Sequence, residues 1–383
     1  AQAANLPRAL APWLGLALCL AAAPLQAETH ANLQAVNADG TSAWSGSFPF
    51  TLRGVLLCGP DEMLDPTPQF LPWNGGANQG QMGGQWQVVL QAVDPGDQGG
   101  TTCWMGQNYG NQPWIRNEDF SYSNESWVPE ILRLNFDPSL LHPFQAGDLV
   151  EVTVRQALFY GGKRNINEGH DIDPAYNFEI RLLTAQHGLP APADLTLAEV
   201  MEPGGSPDDP ASWRPIFDPT RVTGGERWQG VRVRLRDLTL LNTAGWTPTN
   251  AWAKRLSTAT DNLGRFISLR HPRYHLGPPP SHAFDAIGIF NQESGSGTQG
   301  TNGYELFVQE VLPHTPPPAL DARLQLAVSW PTNDALYQLE WRPQADSGDW
   351  QPVTNSAAII HDRHTVLLPP QSPQQFYRLR TIY

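Results

Sequence analysis

The sequence predicts an all-β protein composed of several small domains. Gly and Pro are both abundant, with 34 and 36 residues, so turns are frequent. The apolar residues come in short runs, and almost no long segment keeps a helical period. Short strands separated by turn residues are typical of β-barrels and β-sandwiches.

Residues 1–27 form a predicted signal peptide. Arg8 is their one charged residue, an apolar run covers residues 11–23, and small residues lie close to Ala27. This layout is typical of secretory signals, and the run is shorter than the roughly 20 apolar residues that span a membrane. We therefore expect cleavage after Ala27 and a mature protein that is secreted, periplasmic or on the cell surface.

Two proline-rich segments divide the mature chain into three predicted domains. They cover residues 187–200 and 312–322, and stacked prolines favour extended connections between domains. The predicted domains are residues 28–190, 191–313 and 319–383.

The first domain begins with a strand in SFPFTLRGVLLC, from Ser47. A hairpin follows in QWQVVLQAVDPGDQGGTTCWMG, and a second one, GDLVEVTVRQALFYGGKRNINE, turns at Gly161 and Gly162. Two long insertions, residues 60–84 and 106–142, separate these strands.

The second domain repeats this order. Its first strand, ERWQGVRVRLRDLTLL from Glu226, has Val233, Leu235 and Leu238 on one face and an irregularity near Asp237. A hairpin turns over residues 261–264, and FDAIGIF and YELFVQEV form the closing hairpin.

Both pieces resemble the OB-fold, a five-stranded Greek-key barrel. The segments GERWQGVRVRLRDLTL, TDNLGRFISL, FDAIGIF and YELFVQEV are similar to OB-type domains of exported bacterial proteins, some of which are attached to extracellular nucleases. The pair resembles a family of secreted bacterial proteins with tandem OB-fold-like domains. This resemblance implies two OB-fold-like β-barrels in tandem and names no function.

The third domain has the pattern SWP, YQLEW and FYRLR, with turns every few residues. It resembles the small fibronectin-like β-sandwich modules that end many exported bacterial proteins, some of which serve in attachment or sorting. We interpret Trp330, Trp341 and Trp350 as residues of its core and its sheet surfaces.

The charge balance disfavours nucleic acid as a partner. The chain has a formal net charge of −13 and a pI near 5.1. An acidic surface repels phosphate backbones over most of its area.

The loop EGHDIDP offers Glu168, His170, Asp171 and Asp173 as metal-ligand candidates. Calcium prefers oxygen ligands of this kind. However, the spacing of an EF-hand and the paired His or Cys of a zinc site are both missing. The sequence therefore favours a solvated loop and predicts no cofactor, with calcium as the alternative.

Cys58 and Cys103 remain after removal of the signal peptide. In an oxidising compartment they could form one disulfide. They could equally be two small buried residues, and the sequence does not decide between these interpretations.

The first barrel supplies candidate ligand-binding residues around its third strand. They are Trp104, Tyr109, Trp114 and Arg116. Their rings could stack on sugars or bases, with Trp73 and Trp86 nearby and the amides of Gln107, Asn108 and Asn111 binding hydroxyls. The alternative is that these aromatic residues pack the insertion onto the barrel.

A second candidate is a basic and aromatic patch on the second barrel. It contains Arg270, Arg273 and Tyr274, together with neighbouring basic residues. This patch would suit an anion or a nucleic acid.

No catalytic motif is found: the sequence lacks G-x-S-x-G and any phosphate-binding glycine loop. We therefore expect a non-catalytic binding or scaffolding protein outside the cell, with a polysaccharide or envelope proteins as partners. One alternative is a nucleic-acid-binding accessory protein that uses its OB-fold faces. Another is a hydrolase with an unrecognised pair of carboxylates.

Overall fold

The computed structural model describes residues 25–76, 79–204, 213–249, 251–294, 299–314, 326–332, 336–369 and 374–382. Its contacts divide the chain into two compact units, residues 1–315 and 316–383. The protein is all-β, as the sequence predicts. The predicted signal peptide lies outside the described residues except for its last three.

The first barrel is formed by the following strands: β1 (Gln26–Ala27), β2 (Phe50–Leu56), β3 (Gln85–Gln91), β4 (Gly100–Gly106), β5 (Leu149–Val154), β6 (Ala157–Tyr160), β7 (Lys163–Ile166) and β8 (Glu179–Thr184). Its helices are α1 (His30–Leu33) and α2 (Asn124–Asn135), with short 3₁₀ helices at Tyr109–Asn111, Glu118–Phe120 and Pro174–Tyr176. The cleavage expected after Ala27 would remove β1, which pairs in parallel with β2.

The strands of this sheet follow the order of an OB-fold. β2 pairs with β3 and β5, β3 pairs with β4, and β4 runs parallel to β7. β5 and β6 are separated by Arg155 and Gln156, and β6 pairs with β7. If β5 and β6 are counted as one bent strand, the five strands close in the order 1-2-3-5-4-1. The hairpin turn predicted at Gly161 and Gly162 is confirmed, with φ of 63° and 91°.

The interior of this barrel is filled by aromatic and aliphatic side chains. Trp86 and Phe50, from β3 and β2, are buried there. α2 adds Trp127 and Leu134 to the same cluster. The insertion of residues 106–142 therefore contains a helix, which the sequence analysis did not predict.

The second barrel region contains the following strands, of which β10 and β11 form a separate two-stranded sheet: β9 (Ala193–Leu195), β10 (Met201–Pro203), β11 (Trp213–Pro215), β12 (Arg232–Leu240), β13 (Leu256–Thr260), β14 (Phe266–Arg270), β15 (Phe284–Gln292) and β16 (Tyr304–Pro313). Its helices are α3 (Gly224–Trp228) and short 3₁₀ helices at Leu197–Glu199 and Trp252–Lys254.

Five of these strands form a closed barrel. β12 pairs with β13 and β15, β13 pairs with β14, β14 is parallel to β16, and β15 pairs with β16. The irregularity expected near Asp237 is confirmed, since the register shifts between Leu235 and Leu238 and Asp237 has φ 56°. The expected start of the first strand at Glu226 is wrong, because Glu226 belongs to α3.

The two barrels meet along a shared buried cluster. Cys58, Met63 and Val89 from the first barrel contact Ile289 and Phe307 from the second. The expected boundary near residue 190 separates two sheets, since β8 ends at Thr184 and β9 pairs with β12. Both sheets nevertheless belong to one compact unit.

The second unit contains two sheets of three strands, formed by β17 (Leu326–Pro331), β18 (Tyr337–Arg342), β19 (Gln351–Pro352), β20 (Ala358–Ile360), β21 (Arg363–Leu368) and β22 (Phe376–Thr381). Trp330 and Val366 from one sheet and Leu339 from the other share one core, as in a sandwich. Trp330 is therefore a core residue, as expected. Trp350 lies against Arg342 and Arg378, with each guanidinium 4.4 Å from its ring centre.

Among the helices of the described residues, none has both the length and the apolar character needed to cross a membrane.

Candidate functional site

The insertion of residues 60–84 is held to the first barrel by side-chain amides. The Gln107 Oε1 atom accepts hydrogen bonds from the Gln69 and Gly84 amides at 2.6 and 3.1 Å. Asn108 Oδ1 accepts from the Leu71 amide at 3.1 Å, and Asn111 donates to the Gln81 carbonyl at 2.9 Å. All three amides are buried. Their role is thus to fix the insertion, and the expectation that they bind sugar hydroxyls is wrong.

An aromatic surface lies where this insertion meets the loop after β4. We define the aromatic rim as Trp73, Trp114, Arg116 and His170. Trp114 is 67% exposed, and its ring centre lies 6.5 Å from that of His170. The Arg116 guanidinium lies 5.5 Å from the centre of the Trp73 ring. The rim therefore combines an exposed ring, a cation on a second ring and an imidazole.

Two residues of the rim have backbones in the left-handed region. Arg116 has φ 56° and His170 has φ 65°. Non-glycine residues rarely adopt this conformation and are often held in it by surrounding contacts. The Arg116 Nε atom donates to the Pro113 carbonyl at 2.5 Å, which fixes the direction of its side chain.

Trp104 and Tyr109 pack on the buried side of the aromatic rim. Tyr109 is fully buried, and the His170 ring meets it edge to face at 4.9 Å between ring centres. Trp104 is half-buried and packs against Tyr109 at 6.0 Å. Of the four predicted ligand-binding residues on this barrel, Trp114 and Arg116 are exposed, Trp104 is half-buried and Tyr109 is fully buried.

A buried ionic cluster lies beside this support. Glu168 accepts a hydrogen bond from the Tyr122 hydroxyl at 2.7 Å, and its other carboxylate oxygen lies 3.5 Å from Arg133. Arg133 also pairs with Glu130, three residues earlier on α2. Because it is buried and near Glu130, the pKa of Glu168 is raised to about 8. Two carboxyl groups thus share one guanidinium in an environment of low polarity.

The loop EGHDIDP does not gather its polar side chains at one point. Glu168 turns inward to Tyr122 and Arg133, whereas His170 packs on Tyr109. Asp171 accepts from the Asp173 amide at 3.0 Å, and Asp173 accepts from the Ala175 amide at 2.9 Å. The acidic side chains therefore serve turns and the ionic cluster, and the calcium site considered for this loop is not formed.

The group of metal-ligand side chains in the described residues lies on the second barrel. Asp237, Asp285 and His314 bring one ligand atom each within 4.8 Å of one another. However, Asp285 is already bound by Arg234, by the Asp237 amide and by His314. These contacts explain the arrangement as an ion-pair cluster.

The basic patch of the second barrel is occupied by contacts within the chain. Arg270 is 7% exposed, pairs with Glu305 at 3.0 Å and lies on the Trp252 ring. Arg273 pairs with Asp65 at 3.1 Å and donates to carbonyls of the insertion in the first barrel. The Tyr274 hydroxyl donates to the Gln309 carbonyl at 3.0 Å. The expected anion site is therefore wrong for Arg270 and Arg273.

Both described cysteines carry free thiols. Cys58 and Cys103 are fully buried, and burial raises the pKa of each thiol. The alternative of two small buried residues is correct, and the disulfide is not formed.

The sequence analysis missed Glu130, Arg133 and Tyr122. The sequence contained a pattern that could have identified two of them, because Glu130 and Arg133 are three residues apart, the spacing of an ion pair on a helix. Comparisons with protein-family models, curated proteins and solved structures found no match to this chain.

Proposed function

We propose that this protein is an exported, non-catalytic binding protein that takes a glycan on the aromatic rim of its first barrel. The observation that carries the proposal is the Trp114 ring, which is 67% exposed and lies beside His170, itself packed on the buried Tyr109. An exposed tryptophan on a fixed support offers a flat apolar surface that can stack on a sugar ring. OB-fold barrels use their strand faces and adjacent loops for oligosaccharides.

Export is supported by the signal-like sequence of residues 1–27, with its apolar run and small residues before Ala27. A non-catalytic role is supported by the burial of Glu168. Its carboxylate has a raised pKa but no exposed side-chain surface, so a substrate has no access to it.

The nucleic-acid alternative has lost its main support, since Arg270 and Arg273 are engaged inside the chain. The net charge of −13 also opposes it. It remains a distinct outcome of the binding experiment.

The experiment is a glycan-array screen of residues 28–383, in parallel with single-stranded and duplex DNA. We expect glycan binding that becomes about tenfold weaker in Trp114→Ala, which corresponds to about 1.4 kcal/mol of binding free energy. Tyr160→Ala is the matched control, because Tyr160 is a 49% exposed aromatic residue on another hairpin of the same barrel. The Tyr160→Ala variant should bind the glycan as tightly as the wild type does.

Three outcomes would contradict the proposal. If no glycan binds, the ligand class is wrong. If glycan binding is the same in Trp114→Ala, the site lies elsewhere. If DNA binds instead and its affinity falls steeply with salt, the nucleic-acid alternative is correct.

A further inference from the structure

A second candidate site lies on the other barrel, far along the chain from the aromatic rim. A partly open cavity of about 160 Å³ lies between the paired strands β10 and β11 and the strands β14, β15 and β16 of the second barrel. Met201 and Pro215 form its wall on the hairpin side, and Phe266 and Ser268 of β14 form its wall on the barrel side.

The lining is apolar and aromatic. Phe266, Phe290 and Tyr304 contribute three rings, and Met201 adds a flexible thioether side chain. Among the described residues that line the cavity, Ser268 and Tyr304 carry hydroxyl groups and none carries a charge. A charged ligand would lose its hydration here without gaining a partner, so the lining selects an uncharged group.

Two of the three rings, Tyr304 and Phe290, are held in place before any ligand arrives. Tyr304 stacks on Phe290 with 5.7 Å between ring centres, and its hydroxyl donates to the buried Glu226 carboxylate at 2.7 Å. Gly225 leaves room for the ring, since a Cβ atom there would lie 2.5 Å from Tyr304 Cζ. Fixed walls lower the cost of ordering the site on binding.

The hairpin that covers the cavity is also anchored. The Trp213 indole N–H donates to the Leu263 carbonyl at 3.2 Å, and the Arg265 guanidinium lies 5.2 Å from the Trp213 ring centre. These contacts tie β11 to the turn between β13 and β14. The strand β11 that borders the cavity is therefore fixed to the barrel.

We infer that this cavity binds one uncharged monocyclic aromatic group. Its volume sets the size, because an apolar cavity of about 150 Å³ is known to accommodate benzene. Its three aromatic walls favour a ring that can pack edge to face or offset against them. The group could belong to a free small molecule or to an aromatic side chain of a peptide, and the two sources share this chemistry.

Saturation-transfer NMR on the full chain tests the inference. The probes are benzyl alcohol, N-acetylphenylalanine amide and 1-naphthalenemethanol. We expect saturation transfer to benzyl alcohol, to the amide, or to both, and no transfer to the larger fused ring. Transfer to the amide alone would assign the peptide source, and transfer to benzyl alcohol alone would assign the free molecule.

Two variants locate the binding. Ser268→Leu fills the cavity and should weaken the binding of the responding probe at least about tenfold. Thr239→Leu is the matched control, because Thr239 is an exposed residue on β12 of the same barrel and does not line the cavity. Phe266→Ala removes a 45% exposed wall and tests the site even if Ser268→Leu does not fold.

The inference is overturned by any of three results. These are no saturation transfer to either monocyclic probe, equal transfer to 1-naphthalenemethanol, or probe binding that both cavity variants leave unchanged. Because the aromatic rim shares no residue with this cavity, failure here and failure of the glycan proposal are separate outcomes.

Discussion

The Glu168 carboxyl is buried between Tyr122 and Arg133, so its protonation changes in the neutral pH range. Burial and the nearby Glu130 raise its pKa from 4.5 to about 8. The folded state therefore holds a proton that the unfolded state releases between these two values. This contribution to stability is present at low pH and is lost as the pH rises through about 8.

We predict that Glu168→Gln reduces this pH dependence, because the amide stays neutral and still accepts from Tyr122. Urea unfolding at several pH values from 5 to 9 measures it. The wild-type free energy of unfolding should fall more steeply with pH than that of the variant. Glu118→Gln, at an exposed position, should follow the wild type. Parallel curves for Glu168→Gln and the wild type would contradict the prediction.

Neighbouring residues in EGHDIDP have unrelated surroundings for a local reason. Gly169 and His170 both have positive φ, at 66° and 65°, and the chain reverses between Glu168 and Asp171. Glu168 consequently points to α2 while Asp171 stays in the turn. Spacing along the sequence cannot show such a divergence.

At the scale of elements, α2 is the main difference from the sequence analysis. Trp127, Ile131 and Leu134 follow a helical spacing on the buried side. The pattern is obscured because Val128 and Leu132 are exposed apolar residues and Pro129 lies inside the helix. The helix forms because the barrel core receives its inner face, which is a tertiary effect.

The N-terminus of α2 gives a prediction at this scale. The Ser123 hydroxyl accepts a hydrogen bond from the Ser126 amide at 3.2 Å and caps the helix. Ser123→Ala should lower the free energy of unfolding by about 1 kcal/mol, as the loss of an N-cap does. Urea denaturation measures this loss, with Ser139→Ala at an exposed position as the control. An equal effect of both substitutions would mean that the cap does not matter.

The hairpins, in contrast, could be predicted from short segments. Gly161 and Gly162 supply the positive φ angles that their tight turn requires. At the turn over residues 261–264, the Asp261 carboxylate accepts hydrogen bonds from the Leu263 and Arg265 amides. These interactions are local, so the sequence contains all their partners.

At the scale of the whole molecule, the two barrels are held together by backbone contact as well as by apolar packing. The Gly100 amide donates to the Gln229 carbonyl at 2.9 Å. A Cβ atom on Gly100 would lie 2.2 Å from the Gly230 carbonyl oxygen. Only glycine permits this approach, so the position couples the barrels into one unit.

We predict that Gly100→Ala destabilises the first unit by roughly 1–3 kcal/mol, because the added methyl group forces the barrels apart. Thermal and urea unfolding measure the loss. Gly76→Ala is the matched control, since a Cβ atom there would meet nothing within 4 Å. Unchanged stability in Gly100→Ala would show that the contact between the barrels is not tight.

Ion pairs between residues that are distant in the chain show what sequence reasoning could not reach. Arg273 was expected on an anion-binding surface, but it pairs with Asp65 of the other barrel. Arg270 pairs with Glu305, 35 residues away. A charged side chain is a free surface group or an internal partner depending on neighbours that are distant in the chain.

The sequence by itself determined the all-β class, the order of the hairpins and the bulge near Asp237, because alternating polarity and turn residues act over a few positions. Only the tertiary structure decided which aromatic rings are exposed, which charges are paired and where a cavity remains. Exposure, desolvation and cavity volume depend on how distant segments pack. For that reason Trp114 and Tyr109, equally plausible ligand contacts in the sequence, are 67% and 0% exposed in the fold.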